Sequence, residues 1–435
     1  MNNQELPIAI IGGGPIGLAA AAQLALREKP FVLFESGEQI ASNVNEWGHV
    51  RLFSPWEYNL DQSAETLLKL AGNKIPDKTY IPFGHELISD YLLPLYKLKG
   101  IQENIHLNTT VRSVGRKGID KMKDKGREES PFLIQVEENG CFNSYEAKAV
   151  IDASGTWQNP NPLGSGGVFA LGEIENRIQI EYGMPDILEK DSLKYADKST
   201  LVVGGGHSAI GSILALNELK VDHPKTRIHW LLRKENLASI YGGKEADQFK
   251  ARGALGIQIE ELVNSGAIEI HTPVHIHQIE KTSDQLTIKG QKEGEYFELN
   301  GIDQIIGNTG SRPDFDFLRE IRLEIDPALE SVPKLGPLID PNIHSCGTVR
   351  PHGEAELRQP EKDFYVVGMK SYGRAPTFLM TTGYEQVRSI IAHLHGEFES
   401  AQRVELKLPE TGVCSSRNLP VVKKGKCKSN TCATV

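Results

Sequence analysis

A chain of 435 residues, 39% hydrophobic and 24% charged, is long enough to bury a sizeable core and to divide into two or three domains. Its 48 basic and 57 acidic residues leave a net charge of -9, a field that draws in neither nucleic acid nor an anionic membrane. No apolar run approaches the roughly 20 residues that span a bilayer, and the first residues show no basic stretch followed by a hydrophobic one, so a cytoplasmic protein is expected. Five cysteines are too few for a disulfide scaffold.

The chain opens as strand, turn, helix, strand: PIAII from residue 7, the turn GGGPIG, an Ala/Leu-rich run over 18–26, and FVLFE ending at Glu35. Gly12, Gly14 and Gly17 form GxGxxG between that strand and helix. Gly12 permits the tight turn, Gly14 lets backbone approach a pyrophosphate, Gly17 allows close strand-helix packing, and the helix N-terminus offers amide groups. Glu35 can accept hydrogen bonds from a ribose diol. The segment 45–59, NEWGHVRLFSPWEYN, follows. Trp47, His49, Arg51, Trp56 and Tyr58 suit a pocket lining, with a group that titrates near neutrality and a fixed cation. The alternative packs both Trp in the core and leaves His49 merely hydrogen bonded.

Residues 110–151 alternate as short strands (VRSV, FLIQVEE, SYEAKAVIDAS) around GRKGIDKMKDKGREES, whose charge and glycines predict a solvated excursion. A second unit starts at Thr200 with TLVVGGGHSA, runs on through an apolar stretch over 210–219, and returns as RIHWLLR ending at Arg233. Gly204, Gly206 and Ala209 give GxGxxA, with His207 and Ser208 inside the turn. Arg233 and Lys234 stand where a ribose-binding acid would otherwise end the strand, so a 2′-phosphate would meet cations and NADPH is favoured over NADH. Solvated strand-end charges are the alternative. The loop YGGKEADQFKARGALG places Asp247 and Arg252 near the nicotinamide.

A strand-rich passage, IEIHTPVHIHQIE to YFELNGIDQIIGNTG, closes the second unit as the meander closes the first. His275 and His277 share a strand face without a carboxylate or third His at ligand spacing, so no metal site is expected. From Leu335 the chain is Pro- and Gly-rich, then gives the strand FYVVG ending at Gly368 and a helix from about Thr377 to Leu394. From Thr411 onward five basic residues and no acid predict an extended tail. No GxSxG elbow or Ser-His-Asp order supports a hydrolase.

Two further stretches, VIDASGTWQNPNP over 150–162 and QIIGNTGSRPD over 304–314, each run a strand into a small-Gly turn followed by prolines. With both glycine motifs and FYVVG, they resemble the two-dinucleotide-binding-domain flavoproteins. That pyridine nucleotide-disulfide oxidoreductase superfamily includes thioredoxin reductases, glutathione reductases and class B flavin monooxygenases. The resemblance covers roughly residues 7–395 and implies an α/β fold of two Rossmann-like, three-layer ββα nucleotide-binding domains, the FAD domain discontinuous. Residues 1–165 and 335–400 would bind FAD, 166–334 NADPH, and 401–435 would form a Cys-containing basic tail. The implied FAD set is Gly12, Gly14, Pro15, Ile16, Gly17, Glu35, Ser36, Trp47, Ala153, Ser154, Gly155, Gly368, Thr377, Phe378 and Leu379. The implied NADPH set is Gly204, Gly206, His207, Ser208, Ala209, Arg233 and Lys234, with Thr309 and Gly310 near the nucleotides or the linkers. A helix after Gly368 would aim its N-terminus at the flavin pyrimidine edge.

Disulfide reductases of this group need a Cys pair beside the flavin, and neither nucleotide unit contains CxxC or CxxxxC. GGGHSA resembles the GxGxSA of class B monooxygenases, although GGVFALGEIENRIQIEYG replaces their FxGxxxHxxxW fingerprint. The reading is an NADPH-dependent FAD oxidoreductase, monooxygenase-like, acting on a small molecule with Trp47, His49 and Arg51 as candidate catalytic residues. One alternative uses Cys427 and Cys432 in KKGKCKSNTC, where Lys neighbours favour thiolates, to reduce thiols or an arsenic- or mercury-type soft metal. A disordered tail with incidental cysteines is the plainer reading of that segment. Another alternative is a non-catalytic FAD/NADP redox sensor. The resemblance also implies a homodimer as one available assembly.

Overall fold

Short apolar runs bounded by turn residues form the strands of two parallel sheets, buried on both faces as such sheets require. The computed structural model describes residues 5–247, 249–343, 351–376 and 378–406. The first strands are β1 (Ile8–Ile11), β2 (Phe31–Phe34), β3 (Ile105–His106), β4 (Thr109–Arg116), β5 (Phe132–Glu138), β6 (Cys141–Ala147), β7 (Ala149–Asp152) and β8 (Ile180–Tyr182). The later ones are β9 (Ser199–Val203), β10 (Arg227–Leu231), β11 (Glu269–His271), β12 (Val274–Thr282), β13 (Gln285–Lys292), β14 (Glu295–Ile302), β15 (Gln304–Gly307) and β16 (Phe364–Val366). The longer helices are α1 (Pro15–Leu26), α2 (Gln62–Leu70), α3 (His207–Asp222), α4 (Lys250–Asn264) and α5 (Met380–Leu394).

One parallel sheet has the order β16-β7-β1-β2-β3 and the other β11-β10-β9-β15-β8. Counted outward from the strand before each glycine turn, the two orders coincide: β1 with β9, β2 with β10, β3 with β11, β7 with β15, β16 with β8. The antiparallel sheets β4-β5-β6 and β12-β13-β14 fall at matching points of the chain. The repeat read from the sequence is therefore a repeat of architecture, and the first sheet takes its last strand from beyond the second unit. In α1 every residue from Ile16 to Leu24 is buried, because the helix packs against α2 and α5 as well as its own sheet. Its four consecutive alanines let these neighbours approach closely.

Three expectations need correction. SYEAKAVIDAS is two strands: β6 pairs antiparallel with β5, whereas β7 pairs parallel with β1 in the main sheet. The charged loop over 115–130 is anchored rather than wholly solvated, since Arg116 and Arg127 are 5% and 3% exposed around Glu361. Arg116 Nε lies 2.8 Å and Arg127 Nη2 2.6 Å from that carboxylate. Burial opposes the Glu361 charge, yet the two guanidiniums hold its carboxyl below the usual range. Third, the last long helix begins at Met380 rather than near Thr377. Thr377, Cys346 and the tail with Cys414, Cys427 and Cys432 lie outside the described residues. Among the described residues no helix is long and apolar enough to cross a membrane.

Candidate nucleotide and acceptor site

Both glycine turns leave the C-terminal end of a parallel strand, where open α/β sheets place their ligands. Gly12 has φ 100, and a Cβ there would stand 2.8 Å from the Ala153 carbonyl oxygen. A Cβ on Gly17 would stand 1.9 Å from the Gly12 oxygen, but one on Gly14 meets nothing within 4 Å. The first and last glycines thus serve packing, and Gly14 faces open space. Pro15 opens α1 and Gly14, its N-cap, supplies no side-chain cap, so the first-turn amides remain available to an anion. Glu35 is buried just past β2. Its Oε2 accepts from Gly13 N at 2.7 Å, while Oε1 accepts from Gly37 N and Ser42 Oγ, both at 2.8 Å. Ser36 beside it is exposed.

The second turn repeats this arrangement. Gly204 has φ 134, and a Cβ there would stand 2.2 Å from the Asn308 oxygen. Gly206 again meets nothing within 4 Å and begins α3 without a side-chain cap. Ala209, fully buried, occupies the position matching Gly17. Trp230 Nε1 donates to the Gly204 oxygen at 2.7 Å and pins the turn to β10. Arg233 and Lys234, just past β10, are exposed on the wall of the same cleft as Gly206, His207 and Ser208.

That cleft has a volume of about 2350 Å³ and joins the second turn to residues 45–54, the chain crossings between the two units, and the start of α5. Trp47, His49 and Arg51 all line it, and Trp47 lies 6.5 Å from the Trp157 ring. Phe53 faces His207 at 5.3 Å, which brings the aromatic segment directly against the second turn. Burial, and then the Arg252 charge, push the His207 imidazole below its ordinary range, with Asp247 opposing. Arg252 grips Asp247 through Nε and Nη2 at 2.8 and 2.9 Å. Trp56 does not line the cleft: it is 1% exposed, edge-on to Tyr91, because its side chain fills the core beneath α2. Tyr58 instead meets Phe249 edge-on at 6.0 Å.

The two crossings between the units run side by side. Asn161 N donates to the Gly310 oxygen at 2.9 Å, Thr309 Oγ1 to the Asn161 oxygen at 2.6 Å, and Thr156 and Ser311 hydroxyls meet at 2.9 Å. Gly155 and Gly310 have φ 73 and 84, so each turn exploits a conformation other residues disfavour. At the far end, α5 starts at the Leu379 N-cap without a side-chain cap, and Phe378 packs against Tyr372 at 5.3 Å. A Cβ on Gly368 would stand 3.2 Å from Ile16 Cγ1, and one on Gly383 2.5 Å from Ile16 Cδ1. The N-terminal ends of α1 and α5 therefore meet around Ile16, as two ends of the chain.

Sequence reasoning missed Lys370. Its ammonium and the Asp152 carboxylate are both fully buried, 2.6 Å apart, and Nζ also reaches Ser154 Oγ at 3.0 Å. Asp152 Oδ1 accepts from Ser154 N and Oγ, so this pair fixes the turn that abuts Gly12. A lone Lys in GMKSY carries no pattern that would reveal a partner more than two hundred residues away. Among the described residues the free cysteine is Cys141, exposed on β6 and not part of the cleft lining. His275 and His277 are exposed on β12.

A family model described as pyridine nucleotide-disulphide oxidoreductase matches residues 9–337. The chain is 26% identical over 328 residues to the ferredoxin–NADP reductase of Streptococcus pneumoniae serotype 2, covering 74% of this chain and 80% of that one. It is 25% identical over 334 residues to ferredoxin–NADP reductase 1 of Bacillus mycoides, covering 75% and 76%. Among solved structures, the bacillithiol disulfide reductase from Bacillus cereus is similar with a TM-score of 0.67 at 19% identity, over 91% of this chain and all 100% of that one. The ornithine N-hydroxylase from Kutzneria sp. 744 gives a TM-score of 0.59 at 14% identity over 91% and 100%. These two likenesses establish the fold.

Proposed function

We propose, on the premise that the chain belongs to the pyridine nucleotide-disulphide oxidoreductase family and is an FAD-dependent NAD(P)H oxidoreductase, that it takes electrons from NADPH and delivers them directly to an acceptor entering the cleft. The acceptor in this reading is oxygen, in hydroxylation of a small molecule. FAD, when bound, supplies the group that accepts hydride from the nicotinamide and passes the electron pair on. The residues fit such a group. Gly14 leaves the space a pyrophosphate needs, and the uncapped start of α1 offers amides to it. Phe378 and Leu379 at the start of α5, with Ser154 and Gly155 beside Gly12, complete the set.

In the matching turn Gly206 admits the NADPH pyrophosphate, and Arg233 with Lys234 hold its 2′-phosphate. His207, kept neutral, and the Asp247–Arg252 pair position the nicotinamide half. Trp47, His49 and Arg51 wall the acceptor. Residues 1–165 and 335–400 form the FAD domain in this account and 166–334 the NADPH domain. The observation that carries the reading is the cleft wall: an aromatic and cationic segment faces the NADPH turn, and among the described residues no cysteine stands there.

A second reading, favoured by the two reductase relatives, hands the electrons to a separate carrier protein. Anaerobic reduction of the holoprotein by NADPH, followed by mixing with oxygen or with a one-electron carrier, separates the two. Reoxidation by oxygen within the turnover time supports hydroxylation. Reoxidation by the carrier alone replaces it with the second reading, and reoxidation lost on truncation before Cys414 replaces it with the thiol shuttle.

A further inference from the structure

Away from the cleft, at the edge of the second parallel sheet, β10 and β11 pair so that His229 stands opposite Glu269 and Leu231 opposite His271. Alternation along each strand puts His229, Glu269 and His271 on one face. His229 Nδ1 lies 3.3 Å from Glu269 Oε2 and 3.3 Å from His271 Nε2, and the three donor atoms all fall within 4.8 Å of one another. Two ligands bound at about 2.0–2.1 Å to a tetrahedral ion are themselves roughly 3.3–3.4 Å apart. Both measured separations match that spacing. The imidazoles stack at 5.5 Å with an interplanar angle of 18°, and Phe297 covers His271 edge-on at 5.7 Å.

The second nitrogen of the buried imidazole is also engaged, since His229 Nε2 lies 3.1 Å from Ser199 Oγ. A metal-ligating histidine needs such a partner to hold its ring and to keep the proton on the far nitrogen. With Nε2 protonated toward Ser199, Nδ1 presents a lone pair to the space shared with Glu269 and His271.

We propose that His229, Glu269 and His271 bind a divalent transition ion of the zinc type, with water in the fourth position. Two imidazoles and one carboxylate favour zinc over the hard cations, which take all-oxygen sets. Protons compete little at neutral pH. Burial lowers the His229 imidazole, opposed by Glu269 and helped by Arg227; burial and then His229 lower His271, opposed by Glu269 and helped by Lys292. Glu269, with its side chain 63% exposed, gives the ion an entry path. The bound ion would tie the edge strand β11 to β10, the strand that leads into Arg233 and Lys234.

The test titrates Zn(II) by calorimetry into chelator-treated holoprotein carrying serine at Cys414, Cys427 and Cys432, so that tail thiolates do not compete. Saturable binding of one ion per chain is expected. His271→Ala and Glu269→Ala, both at accessible positions, should weaken it roughly 100-fold or more, and Ser199→Ala about 10-fold. His275→Ala/His277→Ala should leave it unchanged. Co(II) in place of Zn(II) gives a second readout, a ligand-field absorption beyond the flavin bands that disappears in His271→Ala. Absence of saturable binding, equal binding in His271→Ala and Glu269→Ala, or loss confined to the His275/His277 variant each overturns the assignment.

Discussion

Replacing Gly206 with Ala separates folding from cofactor binding. Gly206 sits at φ −91 and ψ 175, an extended conformation open to any residue, and a Cβ there meets nothing within 4 Å. The methyl therefore adds neither strain nor a clash, and a stiffer unfolded chain should stabilise the protein by about 0.4–1 kcal/mol. The same methyl stands where the NADPH pyrophosphate must approach. Overfilling a fitted contact costs roughly 1–3 kcal/mol, which weakens NADPH about 5- to 150-fold. Gly204→Ala has the opposite character. At φ 134 with the Asn308 oxygen 2.2 Å away, it strains the backbone and forces β9 from β15, and it should lower stability by several kcal/mol, of which about 1–3 is conformational. Thermal melting without nucleotide, read beside the NADPH dissociation constant, decides the matter. A Gly206→Ala protein of unchanged or raised melting temperature that binds NADPH as the wild type does would refute the placing of the pyrophosphate. Gly14→Ala, at φ −77 and ψ −174, is the matching experiment for FAD retention.

Removing both cations in Arg233→Ala/Lys234→Ala should cut the preference of kcat/KM for NADPH over NADH by roughly 10- to 100-fold, since each charge-assisted contact is worth about 1.5–3 kcal/mol; an unchanged ratio would leave them as solvated strand-end charges. Lys370→Met strands the Asp152 carboxylate in the core and should destabilise by about 3–5 kcal/mol, with Asp152→Asn/Lys370→Met recovering part of the loss in denaturant titration. Asp61, wholly buried as the cap of α2, has its carboxyl pushed up to about 6 by burial. A folded value above the unfolded 3.8 means the folded state binds the extra proton, so this contribution is full at low pH and lost as pH rises through 6. The difference in unfolding free energy between wild type and Asp61→Asn should therefore fall by roughly 3 kcal/mol between acid and neutral pH, and a flat difference contradicts it.

The two nucleotide turns were legible because their glycines obey local rules: a tight turn after an apolar strand, an open middle position, and close packing at the helix start. The matching sheet orders followed from the same repeat. What lay hidden depends on tertiary contact. Trp47 and Trp56 have equivalent chemistry in sequence, yet one walls the cleft and the other fills the core, a difference set by α2, which the residues around them do not announce. The buried Arg116–Glu361–Arg127 cluster looked like a solvated loop because its acid arrives from far along the chain. His271 was read with His275 and His277 along one strand, whereas its partners His229 and Glu269 are brought together by the pairing of β10 with β11. Periodicity speaks to faces of one element; it is silent on which elements become neighbours.

The central claim is that electrons pass to the acceptor without help from the chain's own thiols. The direct measurement is NADPH turnover by holoprotein in which serine replaces Cys141, Cys346, Cys414, Cys427 and Cys432, with oxygen as the acceptor. The account predicts reduction by NADPH and reoxidation by oxygen at wild-type rates. Normal reduction followed by loss of electron transfer in the serine variant would contradict it and assign the exit route to the tail cysteines.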